Sequence, residues 1–207
     1  MKRSIFEIAC VLLTGISKLV FVDLLHEKFW FILITGVFWS SYIISRIALN
    51  RSLFEDWGFR KTGFWSSVKI LIIPTIAVTL LSVGFGFQKN HLIVNWHIIP
   101  LMILYPVWGT LQQFLILTLF GDNLTKIISA KIPQLIIVIL TATLFAIVHY
   151  PSVQLMAGTF FLALFYMLLF LRHRNLWALG LFHGWLACVF YFFALGRDPW
   201  IEFIGTI

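Results

Sequence analysis

Along this 207-residue chain, long apolar runs are interrupted only by short polar or basic patches. A helix needs about 20 mostly apolar residues to cross the hydrocarbon core of a bilayer. Runs of that kind at about 5–25, 29–49, 68–87, 96–120, 133–150, 152–171 and 175–195 predict about seven spanning helices. Membrane strands would be about ten residues long with alternating polarity, a pattern this chain does not repeat. The fold class that follows is all-α, a polytopic transmembrane helical bundle. No long linker, internal repeat or low-complexity tract divides it, so residues 1–207 read as a single transmembrane helical domain. The stretch "NRSLFEDWGFRKTGFW" (50–65) is too polar to span. Its mixture of aromatic and basic side chains suits a segment lying at the headgroups. Pro100 and Pro106 predict a break or kink early in the fourth span, so that its helix properly begins near Tyr105.

Composition strengthens the membrane reading. The chain is 61% hydrophobic and 11% charged, with a mean hydropathy of +0.99, whereas soluble domains carry about a quarter charged residues. Trp30, Trp96, Trp177 and Trp200 fall near segment ends, as interfacial anchors do. The net charge of +7 is no argument for nucleic acid, because its distribution follows the loops. With the N-terminus cytoplasmic, Lys2, Arg3, Arg46, Arg51, Arg60, Lys61, Lys69, Lys126, Lys131, Arg172 and Arg174 fall on the inner side. Only Lys28, Lys89 and Arg197 fall outside, and Lys18 lies within the first span. That bias predicts an N-in, C-out, multi-pass protein of the cell membrane, with membrane lipid as its surroundings. The start, "MKRSIFEIACVLLTG", competes as a signal peptide, but its apolar stretch runs to Leu25 without a small-residue cleavage site. It therefore reads as a retained span. Cys10 and Cys188 sit in apolar segments and fit neither a disulfide framework nor metal-ligand spacing.

Strongly polar groups inside spans are expensive to keep there and are functional candidates by default. Three places qualify: Gln112 and Gln113 in the fourth segment, His149 at the end of the fifth, and His183 in the seventh. Adjacent helix positions point about 100° apart, so one glutamine can face the bundle axis while the other reaches a neighbouring helix. Interhelical hydrogen bonding alone accounts for such amides, and a lone His149 beside Tyr150 and Pro151 reads as interfacial. Gly180 and Gly184 bracket His183 in a small-xxx-small pattern that permits close helix approach. Close packing and a shielded polar pocket both remain open there. His26, His91, His97 and His173 lie in loops or near membrane surfaces, where water solvates them. No HExxH-like set and no acidic ligand deep in the bundle is evident, and two imidazoles make a poor metal cage. No metal or cofactor is called for.

Taken in order, Gln112-Gln113, then Phe145-x-x-x-His149, then "RNLWALGLFHGW" resemble the CPBP family of CAAX prenyl proteases and bacteriocin-processing membrane proteins, over about 104–195. The family's motifs are Glu-Glu-x-x-x-Arg, Phe-x-x-x-His and His-x-x-x-Asn/Asp. The second matches as Phe145 and His149, and the third begins at His183. The first appears as Gln112 and Gln113 with Leu117 at the arginine position, and the third ends at Ala187. The resemblance implies a metal-independent membrane endopeptidase in which the first acid activates water. The second acid and a histidine orient the site, and the last histidine and Asn stabilise the oxyanion. Gln112, Gln113, His149 and His183 would then occupy the catalytic positions, supported by Phe145 and Ala187.

An amide has nearly the shape of a carboxylate but cannot take a proton from water. Losing a general base costs about 10²–10⁴ in rate, and losing an oxyanion donor about another 10²–10³. The resemblance therefore implies a divergent member that binds a peptide or membrane-protein partner, with weak or absent proteolysis. An active endopeptidase with a rearranged site is the alternative reading. A small transporter component ranks lower, because no inverted repeat is visible. The leading reading expects Gln112, Gln113, His149 and His183 to share one buried hollow.

Overall fold

The structure, a computed structural model, describes residues 1–128 and 131–204. Among the described residues every regular element is helical: α1 (Lys2–Lys18), α2 (Lys28–Leu49), α3 (Ser52–Asp56), α4 (Phe64–Lys89), α5 (Ile98–Gln113), α6 (Asn123–Ile128), α7 (Gln134–Ile147), α8 (Val153–His173), α9 (Leu176–Val189) and α10 (Pro199–Ile204). Wider π turns extend α1 over Leu19–Leu24, follow α5 over Phe114–Asp122, and extend α9 over Phe190–Ala194. Among the described residues six helical runs are long and apolar enough to cross a membrane: Lys2–Leu24, Lys28–Leu49, Phe64–Lys89, Ile98–Ile128, Val153–His173 and Leu176–Ala194. The chain is a multi-pass helical membrane protein.

Three local expectations change. The segment at 133–150 forms only the 14 residues of α7. Pro133 occupies the cap position before it, and beyond it Tyr150 precedes Pro151, where helical backbone is disfavoured. Pro106 does not delay the helix carrying the glutamines, because α5 starts at Ile98 and runs through it. The 50–65 stretch is not all at the surface either. Trp57 and Phe59 are buried and their rings meet Phe114 at 5.1 and 5.7 Å. Thr118 Oγ1 donates to the carbonyl of Trp57 at 2.9 Å.

Two compact units divide the chain, Met1–Phe59 with Phe114–Arg174, and Arg60–Gln113 with Asn175–Ile207. In the first, Phe114, Leu117, Ile137, Val138, Ala142, Ala163, Met167 and Phe170 form the buried core. Its polar groups are neutralised locally. Glu7 is a buried acid on α1, accepting from the Tyr42 hydroxyl and the Asn123 amide. Asp122 receives Arg174 in a two-bond fork at 2.7 and 2.9 Å and Lys126 at 2.8 Å. Trp39, buried on α2, donates its indole N–H to Thr14 Oγ1 at 3.2 Å.

The second unit contains α4, α5, α9 and α10. Asn175 starts α9 by accepting from the Ala178 N–H at 3.0 Å, the usual service of an N-cap side chain. Its amide nitrogen donates to the carbonyls of Arg60 and Thr62 at 2.6 and 3.0 Å. One side chain thus begins the helix and fastens the loop before α4.

The α5–α9 contact is backbone against backbone. A Cβ added at Gly180 would sit 2.1 Å from Thr110 Oγ1 and 2.5 Å from Thr110 Cα, and one at Gly184 would sit 2.3 Å from the Pro106 nitrogen. Forced overpacking of this kind costs about 1–3 kcal/mol. Gly180→Ala is expected to lower the unfolding midpoint in detergent accordingly. Gly158→Ala, whose added Cβ meets nothing within 4 Å, is expected to leave it unchanged.

Candidate functional site

The crossing of α5 and α9 fixes the chemistry available to the second unit. A proline inside a helix cannot donate to the carbonyl four residues earlier, so Pro106 leaves Met102 without its helical partner. Trp185 of α9 donates its indole N–H to that carbonyl at 3.2 Å. Thr110 Oγ1 donates to the carbonyl of Pro106 at 2.7 Å. The proline, the tryptophan and the glycines therefore act together. The missing N–H at Pro106 and the missing Cβ at Gly184 clear the space, and Trp185 satisfies the carbonyl that results.

One turn beyond this contact, Gln112 Oε1 lies 3.0 Å from His183 Nε2. An amide oxygen only accepts, so His183 carries its proton on Nε2 and donates it to Gln112. His183 is buried and packs closely on Gly109 of α5, where an added Cβ would lie 2.9 Å from His183 Cδ2. Gln113 points elsewhere, as the 100° step requires. It is fully buried, and neither its amide oxygen nor its nitrogen has a hydrogen-bond partner among the described residues. Such an orphaned amide costs about 1–3 kcal/mol. Ala187 lies one turn after His183 on α9, half-buried, and offers no side-chain donor. Leu117, at the position of the family's arginine, is buried within the first unit.

His149 and Phe145 belong to the first unit. Phe145 is buried on α7, and its ring meets the His149 imidazole edge-on at 4.9 Å. His149 Nδ1 lies 2.7 Å from the carbonyl of Phe145. A carbonyl only accepts, so the proton sits on Nδ1 and the lone pair on Nε2. Of the four sequence candidates, Gln112 and His183 are joined by a direct hydrogen bond, and Gln113 is the neighbouring residue on the same helix.

Several polar groups lay outside the sequence reading. Glu7 is an acid buried within a span, contrary to the expectation of none. Its position close to the basic N-terminus hid it. His97, read as a solvated loop residue, instead has Nδ1 2.6 Å from Asp198 Oδ2, a carboxylate that also accepts from Asn95 and from the Trp200 N–H. Sequence distance concealed that pair, whose partners lie about a hundred residues apart. Among the described residues no group of three or more His, Cys, Asp or Glu could hold a metal ion.

The burial of Gln113 makes a prediction. Replacing an unsatisfied buried amide by an apolar side chain of similar length removes a desolvation penalty. Gln113→Met is expected to stabilise the protein by about 1–2 kcal/mol, read as a raised unfolding midpoint in detergent. An unchanged or lowered midpoint means the amide has a partner in the native protein.

Residues 96–189 match the family model "Type II CAAX prenyl endopeptidase Rce1-like". The matched stretch contains Gln112, Gln113, Phe145, His149, His183 and Ala187. No curated protein and no solved structure matches the chain.

Proposed function

We propose that this chain, whose residues 96–189 match the Rce1-like CAAX prenyl endopeptidase family model, is a peptide- or protein-binding relative whose proteolysis is weak or absent. One observation carries the reading. The group hydrogen-bonded to His183 is the amide of Gln112, at a position where the family resemblance implies a carboxylate.

The consequence is chemical. A carboxylate beside an imidazole can take the proton of an attacking water, and an amide cannot. That loss alone is worth about 10²–10⁴ in rate. Ala187 adds a missing oxyanion donor, worth about 10²–10³, although residues acting as a unit do not multiply simply. Binding is affected much less. Inside a membrane an extended peptide must find partners for its N–H and C=O groups, and amides offer both a donor and an acceptor. Gln112, Gln113 and His183 thus retain what peptide recognition needs after the general base has gone. The orphaned amide of Gln113 supports the same reading, since it is a donor and acceptor left without a partner among the described residues.

The position of the basic loops supports an N-terminus on the cytoplasmic side of the cell membrane, with the peptide or membrane-protein partner reaching the site from within the bilayer. The test uses the purified chain in lipid nanodiscs with a fluorogenic membrane peptide. The wild-type chain is expected to bind the peptide and cleave it at or near background. The double variant Gln112→Glu, Gln113→Glu is expected to raise cleavage about 10²-fold or more. Rapid cleavage by the wild-type chain, abolished by His183→Ala, overturns the proposal and establishes the rearranged-site endopeptidase in its place.

A further inference from the structure

Lys18 is a charged side chain within a spanning helix, a costly placement that no motif accounts for. Its ammonium lies 2.9 and 2.7 Å from the two carboxylate oxygens of Asp23. Five residues along a regular α-helix are 140° apart around the axis, at 100° per residue. Here the π turn at Leu19–Leu24 closes on i→i+5 bonds, which puts residues five apart on one face. The wide turn therefore creates the ion pair. The third ligand of the ammonium is outside this helix: Lys18 Nζ donates to the carbonyl of Tyr150 at 2.6 Å.

Tyr150 follows His149 in the turn between α7 and α8, and α1 touches that turn a second time. A Cβ added at Gly15 would lie 3.0 Å from Val148 Cγ1, so the missing side chain of Gly15 lets Val148 rest on α1. The amides of the turn are used locally. His149 N donates to Ala146 at 2.9 Å, Tyr150 N to Ile147 at 3.0 Å, and Ser152 N to the His149 carbonyl at 3.1 Å. The Tyr150 carbonyl is bound by Lys18. With the turn held at both flanks of His149, the ring keeps Nδ1 on the Phe145 carbonyl at 2.7 Å and leaves Nε2 as its acceptor.

We infer that Lys18, neutralised by Asp23 and seconded by Gly15, is a positioning residue that locks His149 in its Nδ1–H tautomer and so keeps Nε2 as an acceptor. A part for His149 in the function proposed above rests on that reading and on the resemblance of Phe145-x-x-x-His149 to the family's second motif. The locking itself does not, and its readout is independent of binding and turnover.

The experiment is nitrogen NMR on histidine-labelled full-length protein in nanodiscs, with the His149 signals identified by their loss in His149→Ala. The wild-type chain is expected to show His149 as a single Nδ1–H tautomer. Lys18→Met is expected to give a mixture of both tautomers, Lys18→Arg to restore the single form, and the His183 signals to stay unchanged throughout. If Lys18→Met does not fold, Gly15→Ala, which pushes Val148 away from α1, is expected to produce the same mixture. A folded Lys18→Met or Gly15→Ala protein that keeps a single Nδ1–H form overturns the inference. Failure of peptide binding with the tautomer response intact overturns only the functional reading.

Discussion

Where α5 and α9 cross, main chain meets main chain, because Gly109, Gly180 and Gly184 put no side chain between them and Pro106 has no N–H to place there. In lipid such an approach is held by van der Waals packing and interhelical hydrogen bonds, since apolar helices gain little by leaving one apolar medium for another. The crossing also sets what the helices carry. Gln112 meets His183 at hydrogen-bonding distance, and Trp185 completes the carbonyl that Pro106 leaves open. The same few small residues thus govern packing, backbone satisfaction and side-chain chemistry.

Several polar groups away from water are paired, as buried polar groups usually are. Glu7 has Tyr42 and Asn123. Asp122 has Arg174 and Lys126, and Lys18 has Asp23. Asp198 has Asn95 and His97. Gln113 is buried with neither end of its amide bonded among the described residues, and the hydroxyls of Ser67 and Tyr166 are likewise buried without a partner there.

The chemistry at that pair is set by one kind of atom. Nitrogen in place of oxygen keeps the shape of a carboxylate and its capacity to hydrogen-bond, and removes its capacity to take a proton. At the Gln112–His183 pair the amide can therefore hold a hydrogen-bonding partner but cannot act as a base. The buried acids among the described residues, Glu7, Asp122 and Asp198, are already engaged. Glu7 and Asp122 are bound within the first unit, and Asp198 by the loop residues around it.

Much of this was legible in the sequence because the bilayer constrains composition directly. Twenty apolar residues make a span whatever their neighbours, so the helical class and six of the seven expected spans follow from the residues alone, while the run at 133–150 makes only a short helix. The Gly180–Gly184 spacing announced a close approach, and the order of the motifs announced the family. Contacts between distant residues were not legible. Nothing in the sequence names Pro106 and Thr110 as what the glycines touch, or Trp185 as the donor to Met102. Nor does it show Asp198 beside His97, or Lys18 at the turn holding His149. Segment length and spacing act along one helix, and the chain itself records them. Which faces meet depends on how helices far apart in sequence pack, and only the tertiary structure decides that.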